Sequence, residues 1–104
     1  MKPQLKKGIV EVFVLAVLKN GPSYGYKIIN DLRNYIDLSE STLYPILRRL
    51  EKNQELDTNN VLHQGRNRKY YKINSKGQSH IDDFMKEWED IVRLYDLLIG
   101  TKNG

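Results

Sequence analysis

The chain has 104 residues, enough for one domain, and at that size folding buries only about two-thirds of the unfolded chain's surface. Cysteine is absent, which excludes disulfides and cysteine-ligated zinc as supports for the fold. The net charge of +4 is unevenly spread: residues 1–80 carry 14 Lys and Arg against 7 Asp and Glu, while residues 81–104 carry 3 against 6. A basic body with an acidic tail suits a polyanion-binding head joined to a segment with another task.

In chain order, Ile9, Val12, Phe13, Ala16 and Val17 recur at helical spacing, and Val14, Leu15 and Leu18 make the segment apolar on nearly all sides. This predicts a buried central helix over about residues 5–19, ended by Asn20-Gly21-Pro22. Its apolar run, Val12 to Leu18, is far shorter than the roughly 20 residues that span a bilayer. The run lies behind Glu11 without a cleavage-site pattern, so no signal peptide is expected and the cytoplasm is the expected location. Ser23 is the expected cap of a second helix with an inner face of Tyr24, Ile28, Leu32 and Tyr35 or Ile36.

A third helix is expected from about Glu40 to Asn53, with Leu43, Ile46, Leu47 and Leu50 forming one buried stripe. Its remaining face carries Ser41, Thr42, Tyr44, Arg48, Arg49 and Lys52. Pro45 suggests a start near Ser41 or a bend there. Two strands follow, at about 55–63 and 69–74, around a polar turn Gln64-Gly65-Arg66-Asn67-Arg68. The second places Tyr70 and Lys72 on one side and Tyr71 and Ile73 on the other. Asn74 or Ser75 then caps a last helix to about Ile99, near 37 Å long.

Three helices, a hairpin and a long helix make the chain mainly α with a small β-hairpin. The order is that of a winged helix-turn-helix plus a C-terminal dimerisation helix. The expected division is a DNA-binding domain at 1–74, the dimerisation helix at 75–100 and a tail at 101–104. A cationic helix face can enter a major groove, offering Arg48 to guanine or phosphate and Ser41, Thr42 and Tyr44 to bases or phosphates. Arg66, Arg68 and Lys69, at or beside the hairpin turn, can follow the phosphate backbone or enter a minor groove.

In the last helix Ile81, Phe84, Trp88, Ile91, Tyr95 and Leu98 follow spacings of 3, 4, 3, 4 and 3, with Met85, Val92 and Ile99 widening the stripe. That repeat is a helix-packing seam, and a two-fold homodimer is its economical partner. Trp88, near the middle of the seam, either packs there or sandwiches a flat apolar molecule against its symmetry mate. Catalysis is not expected: the two histidines, His63 and His80, lie on different elements, Asp82 and Asp83 diverge on a helix, and no phosphate loop is present. No metal or cofactor is expected either.

Four segments together resemble the PadR family of transcriptional regulators in its short form, with a single C-terminal helix. They are Tyr24-Gly25-Tyr26 with Ile28, then Ser39 to Pro45 continued by Leu47-Arg48-Arg49-Leu50-Glu51, then Gly65 to Tyr71 with Gly77, and finally Trp88. The resemblance runs from about Gly8 to Ile99. It implies a homodimer bound to operator DNA, commonly a repressor, with recognition helix and wing on the duplex. It also implies that Tyr24, Tyr26 and Tyr44 lie near phosphates or the core. Small aromatic or drug-like effectors, where members bind them, go to the dimer interface, which makes Trp88 a ligand candidate. A winged helix used for protein contacts, or as a structural DNA-binding module without ligand sensing, is the alternative.

The chain departs from the family pattern in places. Ser41 replaces the usual Gly or Ala. Gln54-Glu55-Leu56 replaces Gly-Leu-Ile, which leaves Asn53 as a candidate for the left-handed cap and Glu55 as a residue expected to loosen the first strand.

Overall fold

A computed structural model describes residues 3–100 of the chain. The predicted tail at 101–104 lies outside them. Four helices and one hairpin follow each other in the expected order: α1 (Pro3–Val17), α2 (Gly25–Leu32), α3 (Glu40–Lys52), β1 (Leu56–His63), β2 (Arg66–Ile73) and α4 (Ser75–Ile99). This is the winged-helix arrangement, with β1 and β2 forming a two-stranded antiparallel wing.

The core joins Val10, Val14, Leu15 and Leu18 of the first segment to Ile28 and Leu32 of α2 and to the α3 stripe Leu43, Ile46, Leu47 and Leu50. Each such side chain contributes roughly 1.5–3 kcal/mol on leaving water. The helix α1 begins and ends two residues earlier than expected and tightens into a 3-10 turn at Leu18–Asn20. It is also not covered all round. Ile9, Val12 and Phe13 are half-buried and Ala16 is exposed, so one flank of the helix faces outward.

Ser23 does not cap α2. Its N–H and C=O bond the C=O and N–H of Tyr71 at 3.0 and 2.7 Å, adding a one-residue bridge beside β2. Tyr24 precedes the helix instead, without a side-chain cap. Ile36 is half-buried and Tyr35 is exposed, so Ile36 completes the inner face.

Ser39 caps α3, its Oγ accepting from the Thr42 N–H at 3.3 Å, so the helix begins at Glu40 despite Pro45 inside it. The N–H that proline lacks would have bonded the carbonyl of the exposed Ser41, which water can reach. At the other end Gln54, not Asn53, takes the left-handed conformation, at φ 62°. Gln54 N–H bonds Glu51 C=O and Glu55 N–H bonds Leu50 C=O, both at 2.9 Å, which closes a Schellman motif. A side chain in that conformation costs about 1 kcal/mol relative to glycine. Gln54→Gly is therefore expected to raise the unfolding free energy by up to about 1 kcal/mol, measured by urea denaturation.

Glu55 does not loosen the strand. Its side chain is buried against His80 of α4, which gives the carboxylate a partner. The hairpin turn is shorter than expected, with only Gln64 and Gly65 between the strands, both at positive φ as in a type I′ turn. Asn74 Oδ1 caps α4 by accepting from the Gly77 N–H at 3.0 Å. From Met85 on, α4 exposes nearly all its side chains, and the molecule measures 60 × 26 × 22 Å.

Candidate nucleic-acid interface

The outward face of α3 presents Ser41, Thr42, Arg48 and Lys52, all exposed, with Tyr44 half-buried at its edge. Ser41 and Thr42 hydroxyls lie 3.0 and 3.1 Å from Ser39 Oγ, so a hydroxyl cluster marks the helix N-terminus. Positive dipole ends of this kind attract phosphate. Between α3, the start of α2 and the wing runs an open cleft of about 640 Å³. Its lining brings together Tyr24, Tyr26, Tyr44, Arg66, Arg68 and Lys69, six of the predicted contacts from three separated segments.

Local chemistry explains the shape of this cleft. Gly25 opens α2 beside Tyr44, and a Cβ there would lie 2.8 Å from the Tyr44 ring carbon Cζ. The glycine therefore lets the phenol lie against α2. Arg68 stacks over the Tyr24 ring at 4.0 Å, and Tyr24 meets Tyr70 edge-on at 5.4 Å. Those contacts hold the guanidinium along the cleft wall before any ligand arrives.

Because β2 begins at Arg66, Arg68 and Lys69 lie on the strand and point to opposite faces. Lys69 turns toward α3, where its Nζ is 2.9 Å from Glu51 Oε1. Thr58 donates to the other Glu51 oxygen at 3.1 Å. The hydrogen bond to Lys69 holds the Glu51 carboxyl below its ordinary 4.5, and the same bond raises Lys69 above 10.5. The pair is thus fully charged at neutral pH. Its contribution fades as pH falls through the lowered carboxylate value or rises through the raised ammonium value.

Two predicted residues stand apart from the face. Arg49 forms an ion pair with Glu11 of α1 and is partly buried, so it ties the recognition helix to the first helix. Ile81, predicted in the seam, is only 5% exposed and packs in the chain's own core. The rest of the seam is open: Phe84 is half-buried, and Trp88, Ile91, Tyr95 and Leu98 are exposed. Phe84 and Trp88 rings stack with centroids 6.0 Å apart and, with Ile9, Val12, Phe13 and Ala16, line an apolar groove of about 300 Å³.

Gly25 and Glu51 stood in the sequence only as members of the family motifs, and Glu11 and Thr58 carried no signal of a structural role. Their partners lie on other elements, where helix or strand periodicity does not reveal them.

Comparison with known proteins adds independent findings. The family described as "Transcriptional regulator PadR-like family" matches residues 14–83. A PadR-like transcription factor from Bacteroides fragilis is 32% identical, with 91% of this chain and 94% of that one covered at a TM-score of 0.83. A protein of Streptococcus mutans UA159 is 36% identical over 94% of this chain and 92% of its own, at 0.77. Bacillus subtilis PadR in complex with operator DNA is 18% identical, covers 74% of this chain and 46% of its own, and has a TM-score of 0.69, a likeness of fold.

Proposed function

The chain belongs to the PadR-like family of transcriptional regulators, and on that premise we propose that it is a homodimeric repressor that binds operator DNA sequence-specifically in the cytoplasm. Membership of that family makes it a DNA-binding winged-helix regulator rather than an enzyme. Among the described residues no helix is long and apolar enough to cross a membrane.

One observation carries the reading. Arg66 and Arg68 of the wing line the cleft beside Tyr44 of α3, Arg48 and Lys52 are exposed on α3, and none of the four has a carboxylate partner among the described residues. Unpaired cations on a groove-sized helix and an adjacent wing fit the backbone and base edges of a duplex. A PadR of the same fold was solved in complex with operator DNA, which supports the DNA-binding reading.

Dimerisation is supported by the two apolar surfaces a single chain leaves uncovered, the α1 flank and the α4 stripe. A two-fold pairing through them would supply the pair of recognition helices that half-sites one DNA turn, roughly 34–36 Å, apart require. The groove beside Trp88 is the proposed site of a small aromatic or drug-like effector whose binding relieves repression. Its stacked ring pair and apolar walls favour a flat partner.

Selection of bound duplexes from a random pool, followed by mobility shifts on the enriched sequence, tests the DNA reading. Enrichment of a two-fold symmetric site is expected, and recovery of no sequence preference would favour a structural DNA-binding module instead. Arg68→Gln is expected to weaken binding several-fold and to flatten the logarithmic salt dependence by about 0.9 per chain. Because Trp88 is the only tryptophan, its fluorescence reports the effector groove directly. Planar aromatic probes that quench it should also release the duplex.

A further inference from the structure

We infer that Glu51 limits how tightly the protein holds duplex DNA of any sequence, by cancelling the charge of Lys69 inside the DNA-facing cleft. The inference rests on the DNA-binding reading above and adds a residue that opposes attachment.

Three observations carry it. Glu51 lies on the wing-facing side of the recognition helix, one turn beyond Arg48 and two turns beyond Tyr44, so it borders the surface offered to the duplex. Its carboxylate takes Lys69 Nζ at 2.9 Å and Thr58 Oγ1 at 3.1 Å, while Lys69 itself lines the cleft with Arg66 and Arg68. Finally, Lys69 Nζ stands 5.5 Å from the centre of the Tyr71 ring, and Tyr71 lines the same cleft, so the ion pair sits at the cleft wall.

Thr58 sits opposite Tyr71 in the hairpin and therefore on the same face as Lys69. Its second hydrogen bond holds the carboxylate in place when Lys69 moves. The net charge there is zero whether Lys69 stays on Glu51 or reaches for a phosphate. A fixed carboxylate beside the backbone repels every duplex equally, operator or not. Sequence-independent attachment is almost wholly electrostatic, so this repulsion lowers it, whereas base contacts made elsewhere on α3 are untouched. Glu51 therefore acts as a restraint that lowers attachment to operator and bulk DNA alike, holding total affinity down without altering the difference between them.

A structural tie between α3 and the wing makes the opposite forecast. If Glu51 served only to hold the wing, neutralising it would loosen the wing and weaken binding.

The test is fluorescence anisotropy of a labelled random-sequence duplex with wild type, Glu51→Gln, Lys69→Gln and the double variant, over a potassium chloride series. Thermal melts confirm that each variant is folded. Glu51→Gln is expected to bind about tenfold more tightly at low salt, with a logarithmic salt slope steeper by about 0.9 per chain. Lys69→Gln, which exposes the carboxylate, is expected to weaken binding, and adding Glu51→Gln to it to recover that loss. Unchanged or weaker binding by Glu51→Gln, with an unaltered slope, overturns the inference. Arg68→Gln separates the two levels: if that variant also leaves binding and slope unmoved, the face itself has been misplaced. If it flattens the slope while Glu51→Gln does nothing, only the role of Glu51 is wrong.

Discussion

Ile91→Glu is expected to turn the protein into a folded monomer that no longer holds a duplex. Ile91 lies on the α4 stripe between Trp88 and Tyr95 and is 45% exposed in the single chain, with no core role. Its replacement therefore leaves the winged-helix core intact. In a two-fold pairing through the stripe, two glutamates would enter an apolar seam together. An unpaired charge transferred out of water costs several kcal/mol even after relaxation, and the two-fold doubles it. Each 1.4 kcal/mol is tenfold in affinity, so the dimer should weaken by more than about a hundredfold. Sedimentation at micromolar concentration should show a single-chain mass with unchanged helical content by circular dichroism. Binding to duplex should collapse with it, since one head offers half the cations. A variant that remains dimeric would place the subunit contact elsewhere.

The second large effect is on folding. Gly77→Ala ought to stabilise α4 by helix propensity, at about 1 kcal/mol. Its surroundings forbid that. A Cβ at Gly77 would stand 2.5 Å from the Glu55 carbonyl oxygen, 2.7 Å from Ile73 Cγ1 and 3.3 Å from Leu15 Cδ2. The first neighbour is backbone and cannot swing away. The first turn of α4 would have to lift off the base of the wing, which also strains the Asn74 cap on Gly77. Overpacking of this kind costs about 1–3 kcal/mol, and with a backbone atom as the obstacle the upper part of that range applies. At roughly 4–8 °C per kcal/mol, a melting temperature lower by about 10 °C or more is expected at fixed protein concentration. Gly8→Ala is the matched control. Nothing lies within 4 Å of a Cβ there, so that change should raise the melting temperature by the propensity term alone. Equal responses from the two variants would refute the packing argument.

How much of this was legible in the residues depends on the range of each interaction. The stripe Leu43, Ile46, Leu47 and Leu50 lies on one helix, its spacing is local, and all four are buried as expected. Trp88, Ile91, Tyr95 and Leu98 were readable as a stripe for the same reason, and they are exposed in the single chain. The stripe's beginning was misread because periodicity cannot tell which neighbour an apolar residue meets, and Ile81 meets its own core. The basic side chains show the same limit. Arg48 and Arg49 are adjacent and chemically alike, yet only Arg49 is drawn to Glu11, 38 positions away. Lys69 is likewise taken by Glu51 across 18 positions. Ser23 looked like a cap because serine often is one, but the ladder position opposite Tyr71 claimed its backbone first. Gln54 kept the left-handed geometry that glycine would have adopted without strain, since the chain must still turn sharply from α3 into the wing.

On the proposed function, two chains together present the unpaired cations of α3 and wing to one duplex. Four such residues per chain, Arg48, Lys52, Arg66 and Arg68, make eight across a dimer. At about 0.9 per neutralised phosphate, the logarithm of affinity should fall against the logarithm of potassium chloride with a slope near −7. A titration of labelled duplex that gives this slope, with two chains bound per duplex, is the predicted result. A slope near zero, or no binding at low salt, would contradict it.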